Sequence, residues 1–207
     1  MANVTAVERT EFDPPLPIAA SGEPVSRLAV ADEARLPDEL RRIFARFREH
    51  YGFVPNWLKA LAVNPGTALR MVRFYEHLFD PRQSALTAAE RELIAVVTSA
   101  TNHCAYCVFN HTQALGTALD DRVRARRIAQ GFRHVRLSPR ELALAEVVET
   151  LAEAPQHLGD PDLDRLRDEG FDQAAIVEIL EVAAFFAYAN RLTIALNVVP
   201  DPQFFSA

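Results

Sequence analysis

The chain has 207 residues, of which 49% are hydrophobic and 24% charged, and its formal net charge is -6. This is the composition of a globular protein, and the acidic balance argues against a nucleic-acid partner or an anionic membrane surface, both of which need a basic face. Apolar stretches such as "AAFFAYA" are well short of the about 20 residues of a membrane span, and no signal-peptide pattern is visible, so we expect a cytoplasmic protein without a membrane partner.

Residues 1–24 hold four of the thirteen prolines and show no helical period, so we expect an extended arm there. Residues 25–207 should form one helical domain, because helix-capping signals recur along them and no alternating strand or hairpin turn is found. Predicted helices begin at Pro37, Pro65, Thr87, near Asn102, and at Ser138, Pro161, Asp172 and Arg191. The basic run "RVRARR" at 122–127 is interpreted as the solvated face of a helix. The predicted fold class is all-α.

The helical domain is expected to contain two related halves, at about 55–130 and about 138–200. Aligning Glu92 with Glu178 places Cys104 on Asn190, Cys107 on Thr193 and His111 on Asn197. Each segment has an acid, a long apolar helix, a polar break and a second amphipathic helix. We interpret the likeness as two helical hairpins related by a pseudo-twofold axis, of which only the first keeps the chemistry. Chance similarity of two amphipathic helices is the alternative.

Both cysteines of the chain lie in the first half, as Cys104 and Cys107, and His111 follows four residues later. Cytosolic thiols stay reduced, so a CxxC pair there is more typical of redox or metal chemistry than of a structural disulfide. On a helix beginning near Asn102 the three side chains share a face about 60° wide, and the cysteine Cα atoms lie roughly 5 Å apart. A helix N-terminus and a nearby imidazole both favour a thiolate. The spacing supplies an attacking thiol, a resolving thiol and a base.

Two further residues are candidates for proton handling. Glu92, on the preceding helix, can orient His111 or relay its proton, and Tyr106, inside the CxxC, can add a hydroxyl to the same network. Two other interpretations of the cysteine pair stay open. The cysteines can be small apolar core residues, or they can bind zinc together with His111 and either Glu92 or water.

The spacing Glu92-x11-Cys104-x2-Cys107-x3-His111 resembles the signature of the alkylhydroperoxidase AhpD-like family, within the carboxymuconolactone decarboxylase-like superfamily. The surrounding "LTAAERELIAVVTSATNHCAYCVFNH" resembles the peroxidase-related branch in particular. The motif covers about twenty residues, and a weaker likeness runs from about Pro55 to residue 202. The chain departs from the family at one position, since the characterised family type has a histidine immediately before the second cysteine and this chain has Tyr106.

The resemblance implies an AhpD-like helical fold that assembles as a homo-oligomer, whether dimer, trimer or hexamer. It implies that Cys107 attacks a small alkyl hydroperoxide and becomes a sulfenic acid, which Cys104 resolves to a disulfide. Glu92 and His111 would then carry the proton relay, and an external thiol or dithiol reductant would regenerate the pair. No cofactor and no resident metal is expected. The aromatic residues expected in the core or at a subunit interface are Trp57, Phe74, Tyr75, Phe185 and Phe186.

The sequence therefore predicts an enzyme, a thiol-dependent peroxidase or disulfide oxidoreductase. One alternative is a redox-sensing or scaffold protein of the same fold, whose disulfide changes its assembly. Another is a lactone decarboxylase-like or isomerase enzyme, whose relatives in this superfamily do not use a CxxC. Turnover with a thiol reductant separates the first two hypotheses, and activity that survives Cys107→Ser would favour the third.

Overall fold

The structure, a computed structural model, describes residues 24–205, with side chains as far as residue 203. The predicted N-terminal arm, apart from Pro24, lies outside the described residues. Within them the chain is all-α, as predicted, with nine α-helices and no strand. The helices are α1 Asp38–Tyr51, α2 Asn56–Leu61, α3 Pro65–Leu78, α4 Ala88–Thr101, α5 Ala105–Ala118, α6 Arg122–Gly131, α7 Pro139–Glu153, α8 Asp160–Asp168 and α9 Gln173–Leu196. Short 3₁₀ turns lie at Glu33–Arg35, Phe132–His134, Pro155–His157 and Pro202–Phe205.

Several helix boundaries follow from the capping residues in the sequence. The Thr87 hydroxyl accepts from the Glu90 amide, and the Glu90 carboxylate accepts from the Thr87 amide, which forms the predicted capping box of α4. Ser138 and Glu141 form the same arrangement at α7. Gly52 ends α1 with φ of 81°, a left-handed conformation that glycine adopts without strain. Each side-chain cap stabilises its helix by about 1 kcal/mol.

Two parts of the helical pattern differ from the prediction. The short helix α2 is not predicted from sequence, and the segments predicted at 172–189 and from Arg191 form one continuous helix, α9. Asn190 lies at the expected break, but its amide donates to Ser99 and accepts from Asn102 instead of capping its own helix. A polar side chain with partners on neighbouring elements does not compete with the helix backbone, so the helix continues.

Helix α4 lies at the centre of the fold. It packs against α5, α7 and α9, and every residue from Arg91 to Ser99 is buried. Burying a charged group without a partner is costly, so the carboxylate of Glu92 in this stretch needs a hydrogen-bonded partner in the interior.

Helix α9 is the one helix within residues 24–205 that is long and apolar enough to cross a membrane. In this fold it packs against α4 and α7, and ten of its side chains are buried. Core helices of globular proteins share this apolar composition. Packing in the core therefore explains why most of the ten buried residues of α9 are apolar.

Candidate active site

The two cysteines lie at the junction of α4 and α5. Asn102 ends α4, His103 has φ of 56°, and Cys104 is the N-cap residue of α5. The helix predicted to begin near Asn102 therefore begins after Cys104, and the side-chain amide of Asn102 donates to Asn190 at 3.0 Å. Cys104 precedes the helix and Cys107 lies in its first turn, where the positive end of the helix dipole stabilises an anion.

Both sulfurs face one hydroxyl on α9. The Sγ of Cys104 lies 3.0 Å from Thr193 Oγ1, and the Sγ of Cys107 lies 3.7 Å from the same oxygen. Both cysteines are free thiols and both are buried. The cysteine pair thus has a polar partner from the second half of the chain.

The two thiols titrate as a pair. The hydrogen bond from Cys107, together with that from Thr193, lowers the pKa of Cys104 to about 6 against the opposing effect of burial. The same sulfur–sulfur hydrogen bond, with burial, raises the pKa of Cys107 well above that of an ordinary thiol. The pair therefore holds one proton and one negative charge near neutral pH. The closer contact with Thr193 favours Cys104 as the site of the charge.

Glu92 and His111 are in direct contact. Nδ1 of His111 lies 2.8 Å from Oε2 of Glu92, with side-chain exposures of 16% and 9%. The imidazole ring packs edge-on against Phe186, with ring centroids 4.6 Å apart. With Nδ1 bonded to the carboxylate, Nε2 is the nitrogen that can exchange a proton with a bound molecule. His111 therefore contacts Glu92, whereas the sulfur of Cys107 faces Thr193.

A cavity of about 310 Å³ adjoins this site. Cys107 and His111 line the cavity, whereas Cys104 lies behind them and is only 1% exposed. Its aromatic walls are formed by Phe47, Tyr51, Trp57, Tyr75, Phe185 and Phe186. Among the described residues that line it there is no lysine, arginine, aspartate or glutamate. The cavity is suited to a small, neutral, largely apolar molecule, because most of its lining is apolar and no lysine or arginine is there to pair with an anionic ligand.

Several of these aromatic residues were expected in the core or at an interface. Phe185 and Phe186 are buried in the core and Trp57 and Tyr75 pack against it, as expected, and all four also form walls of the cavity. Phe74 is 39% exposed and packs edge-on against Phe185. The apolar pattern in sequence does not distinguish a core from the lining of an apolar cavity.

Tyr106 has a different partner from the one expected. Its hydroxyl donates to Oδ2 of Asp201 at 2.6 Å and does not bond Glu92 or His111. The other carboxylate oxygen of Asp201 accepts from the backbone N–H of Asn56 at 2.9 Å. Burial, followed by the charge of Asp201, raises the pKa of Tyr106 well above its ordinary value, so the phenol stays protonated. Tyr106 therefore anchors the C-terminal segment beside the CxxC rather than joining the proton relay.

The zinc interpretation depends on three or more suitable ligands coming together. Across residues 24–205 no group of three or more histidine, cysteine, aspartate or glutamate side chains is placed to hold a metal ion. His111 is paired with Glu92, and the two thiols are paired with each other.

Comparison with known proteins places this geometry in a family. The carboxymuconolactone decarboxylase family model matches residues 65–150. An uncharacterised peroxidase-related protein with an alkylhydroperoxidase AhpD core, from Ralstonia eutropha JMP134, is 30% identical, with a TM-score of 0.83 over 89% of this chain and 96% of that one. A peroxidase-related protein from Silicibacter sp. TM1040 is also 30% identical, with a TM-score of 0.82 over 92% of this chain and 98% of that one. The chain belongs to the AhpD-like family of the carboxymuconolactone decarboxylase superfamily.

A more distant structure shares the AhpD-like fold. The debrominase Bmp8 is 18% identical, with a TM-score of 0.72 over 89% of this chain and 96% of that one. At this identity the likeness extends to the fold only. No curated protein sequence matches the chain significantly.

The candidate site contains residues that the sequence interpretation does not assign to it. Thr193 and Asn190 align with the two cysteines in the internal comparison, but the interpretation places the chemistry in the first half alone. The signal that could have identified them was the alignment itself, because a pseudo-twofold axis brings equivalent positions close together. Asp201, beyond the family motif, had no signal in sequence.

Proposed function

We propose that this AhpD-like protein is a cytoplasmic thiol-dependent peroxidase that reduces small, neutral, apolar hydroperoxides. The observation that supports this most directly is the position of Cys107 in the wall of an apolar cavity, with Cys104 behind it and the His111–Glu92 pair beside it. The two sulfurs lie 3.0 and 3.7 Å from the same Thr193 hydroxyl, and this closeness supports their joining as a disulfide.

The first step uses the cavity-facing sulfur. Cys107 transfers its proton to the Cys104 thiolate and attacks the terminal oxygen of the hydroperoxide. The O–O bond breaks, the sulfur becomes a sulfenic acid, and the leaving alkoxide takes a proton from protonated His111 to form the alcohol. The carboxylate of Glu92 stabilises the imidazolium before this transfer.

The second step forms the disulfide. Neutral His111 takes the proton of Cys104, whose sulfur attacks the Cys107 sulfenic acid and displaces hydroxide. The imidazolium of His111 returns that proton to the hydroxide, which leaves as water. The sum is one hydroperoxide and two thiols converted to one alcohol, one water and one disulfide. An external dithiol then reduces the disulfide and restores both thiols. The assembly proposed for the working enzyme is a homo-oligomer, as the family resemblance implies.

The cavity lining weighs against the lactone decarboxylase alternative. A lactone acid carries a carboxylate, and no lysine or arginine is among the described lining residues. The sensor alternative would need only the disulfide, and a formed cavity beside the attacking thiol favours a bound substrate.

The test is a stoichiometric reaction of the reduced protein with cumene hydroperoxide, followed by thiol titration and intact mass analysis. We expect both thiols to disappear faster than free cysteine reacts, with a mass decrease of about two hydrogens. Thiol loss no faster than that of free cysteine would overturn the proposal, and rapid loss without turnover on added dithiol would favour the sensor.

Two matched variants assign the roles of the cysteines. Cys104→Ser should stop at a sulfenic acid on Cys107, which dimedone traps as a stable adduct. Cys107→Ser should leave the remaining thiol unreactive, because Cys104 does not line the cavity. A dimedone adduct on Cys104 of the Cys107→Ser protein would reverse the assignment.

A second reaction suits the same dithiol. The aromatic walls of the cavity favour a flat ring, and one structural neighbour is the debrominase Bmp8, a cysteine-to-alanine variant of which has been crystallised in complex with 2,3,4-tribromopyrrole. Two thiols and one aryl bromide balance as arene, disulfide and hydrogen bromide. Bromide release from a brominated pyrrole under excess dithiol tests this reaction, and its absence alongside rapid hydroperoxide reduction would leave the peroxidase proposal alone.

A further inference from the structure

The reactive cysteines belong to the first half of the chain, but their hydroxyl neighbour belongs to the second. Thr193 is buried on α9, with Oγ1 3.0 Å from the sulfur of Cys104 and 3.7 Å from that of Cys107. The closer contact is with the sulfur that lies away from the cavity. A hydroxyl in this position can discriminate between the two sulfurs.

The hydroxyl has a second set of partners on its own helix. Oγ1 of Thr193 lies 3.0 Å from the carbonyl oxygen of Ala189 and 3.1 Å from that of Asn190. When Cys104 is a thiol, its S–H can donate to Oγ1 while the hydroxyl donates to a carbonyl. When Cys104 is a thiolate, the hydroxyl can turn and donate to the sulfur. The exchange requires only rotation of the hydroxyl hydrogen, so both protonation states keep a satisfied partner.

Asn190 holds this hydroxyl in register with the cysteines. Its side chain is fully buried, donating to Ser99 Oγ at 3.0 Å and accepting from Asn102 at 3.0 Å. Both partners lie at the end of α4, directly before the CxxC. The contacts fix α9 against the backbone segment that carries Cys104.

We propose that Thr193, held in register by Asn190, is a positioning residue that places the negative charge of the reduced pair on Cys104 and leaves the proton on Cys107. Its role in peroxide reduction rests on the proposed function, whereas the placement of the charge does not. The charge on Cys104 then accepts the proton of Cys107 when a substrate enters the cavity. In the internal alignment Thr193 is the equivalent of Cys107, so the second half supports the chemistry that only the first half performs.

The titratable groups that line or adjoin the cavity lie on elements other than α9, which carries Thr193. The other titratable groups that line or adjoin the cavity are Tyr51 on α1, Tyr75 on α3, Glu92 on α4, Tyr106 and His111 on α5, and Asp201 in the C-terminal segment. Among the described residues, α9 contributes only Phe185, Phe186, Ala189 and Thr193 to the cavity lining, and none of these is charged. A change at Thr193 therefore removes a hydroxyl without altering a charge.

The experiment is a titration of thiolate absorbance near 240 nm on the reduced protein from about pH 4 to pH 10, which needs no turnover. Thr193→Val removes the hydroxyl with little change of shape, and the first midpoint should rise by about one to two pH units. Thr193→Ser should restore it to within about half a unit, because the hydroxyl returns. Thr112→Val is the matched control, since that hydroxyl bonds the carbonyl of Val108 on α5 and no sulfur.

Each outcome decides the matter. A midpoint in Thr193→Val equal to that of the wild type, or a serine variant shifted as far as the valine variant, overturns the inference. If Thr193→Val does not fold, Thr193→Ala carries the same comparison. If the midpoint shifts as expected while hydroperoxide is not reduced, the positioning role stands and the proposed function fails. If peroxide is reduced rapidly while the midpoints do not shift, the proposed function stands and the positioning role of Thr193 fails.

Discussion

The contact between Glu92 and His111 gives the sharpest prediction for the proposed reaction. Glu92→Gln keeps a carbonyl oxygen that can accept from Nδ1 at the observed 2.8 Å but removes the negative charge. A hydrogen bond to a charged group contributes about 1.5 to 3 kcal/mol and a neutral one about 0.5 to 1.5 kcal/mol, so the imidazolium loses about 1 to 2 kcal/mol of stabilisation. This predicts a fall of about 5- to 30-fold in kcat/KM for the hydroperoxide.

The assay is steady-state reduction of cumene hydroperoxide under saturating dithiol, with unfolding measured on the same samples. Glu178→Gln is the matched control, since Glu178 aligns with Glu92 but lies on α9 outside the cavity lining, where it accepts from the Ala85 amide at 2.8 Å. The control should lose some stability and keep its activity. The reasoning is refuted if Glu92→Gln retains kcat/KM within about twofold of the wild type, or if both variants lose activity equally.

Three further predictions follow from the site. In the wild type, thiolate absorbance should rise by the amount of one thiolate near pH 6, because the pKa of Cys104 is lowered. The thiolate of Cys107 should appear only well above pH 9, and two thiolates below pH 8 would contradict this prediction. Tyr106→Phe should lower the free energy of unfolding by about 1 to 3 kcal/mol in a denaturant titration, because a buried carboxylate loses a donor, whereas Tyr188→Phe, at an exposed hydroxyl, should leave it unchanged. Ala114→Trp should narrow the cavity and lower kcat/KM for cumene hydroperoxide about tenfold or more with little effect on hydrogen peroxide, while Ala118→Trp on the exposed side of α5 should change neither.

Sequence reasoning predicts most of this fold because the local signals are strong. The capping boxes at Thr87 and Ser138 and the glycine after α1 mark helix boundaries that the structure reproduces. Asn190 shows where this reasoning stops, because an asparagine in an apolar segment is an expected break. Only its tertiary partners, Ser99 and Asn102, explain why α9 continues through it.

The residues of the candidate site also fall into two groups, those that local sequence patterns predict and those that only the packing of the helices brings together. The spacing of Cys104, Cys107 and His111 can be judged from one helix, and Glu92 from the family motif. Thr193 and Asp201 cannot, since each reaches the CxxC from 86 or more residues away along the chain. Their roles depend on how helices pack, which periodicity does not specify.

The hydrogen bond from Tyr106 to Asp201 limits how the cysteine pair can be engineered. The two positions between the cysteines are natural choices for a library that tunes the reduction potential of such a pair. Here they are not equivalent, because Tyr106 anchors the chain end whereas Ala105 is exposed. A library that randomises Ala105 alone should sample redox behaviour, and one that also randomises Tyr106 would mix it with loss of stability.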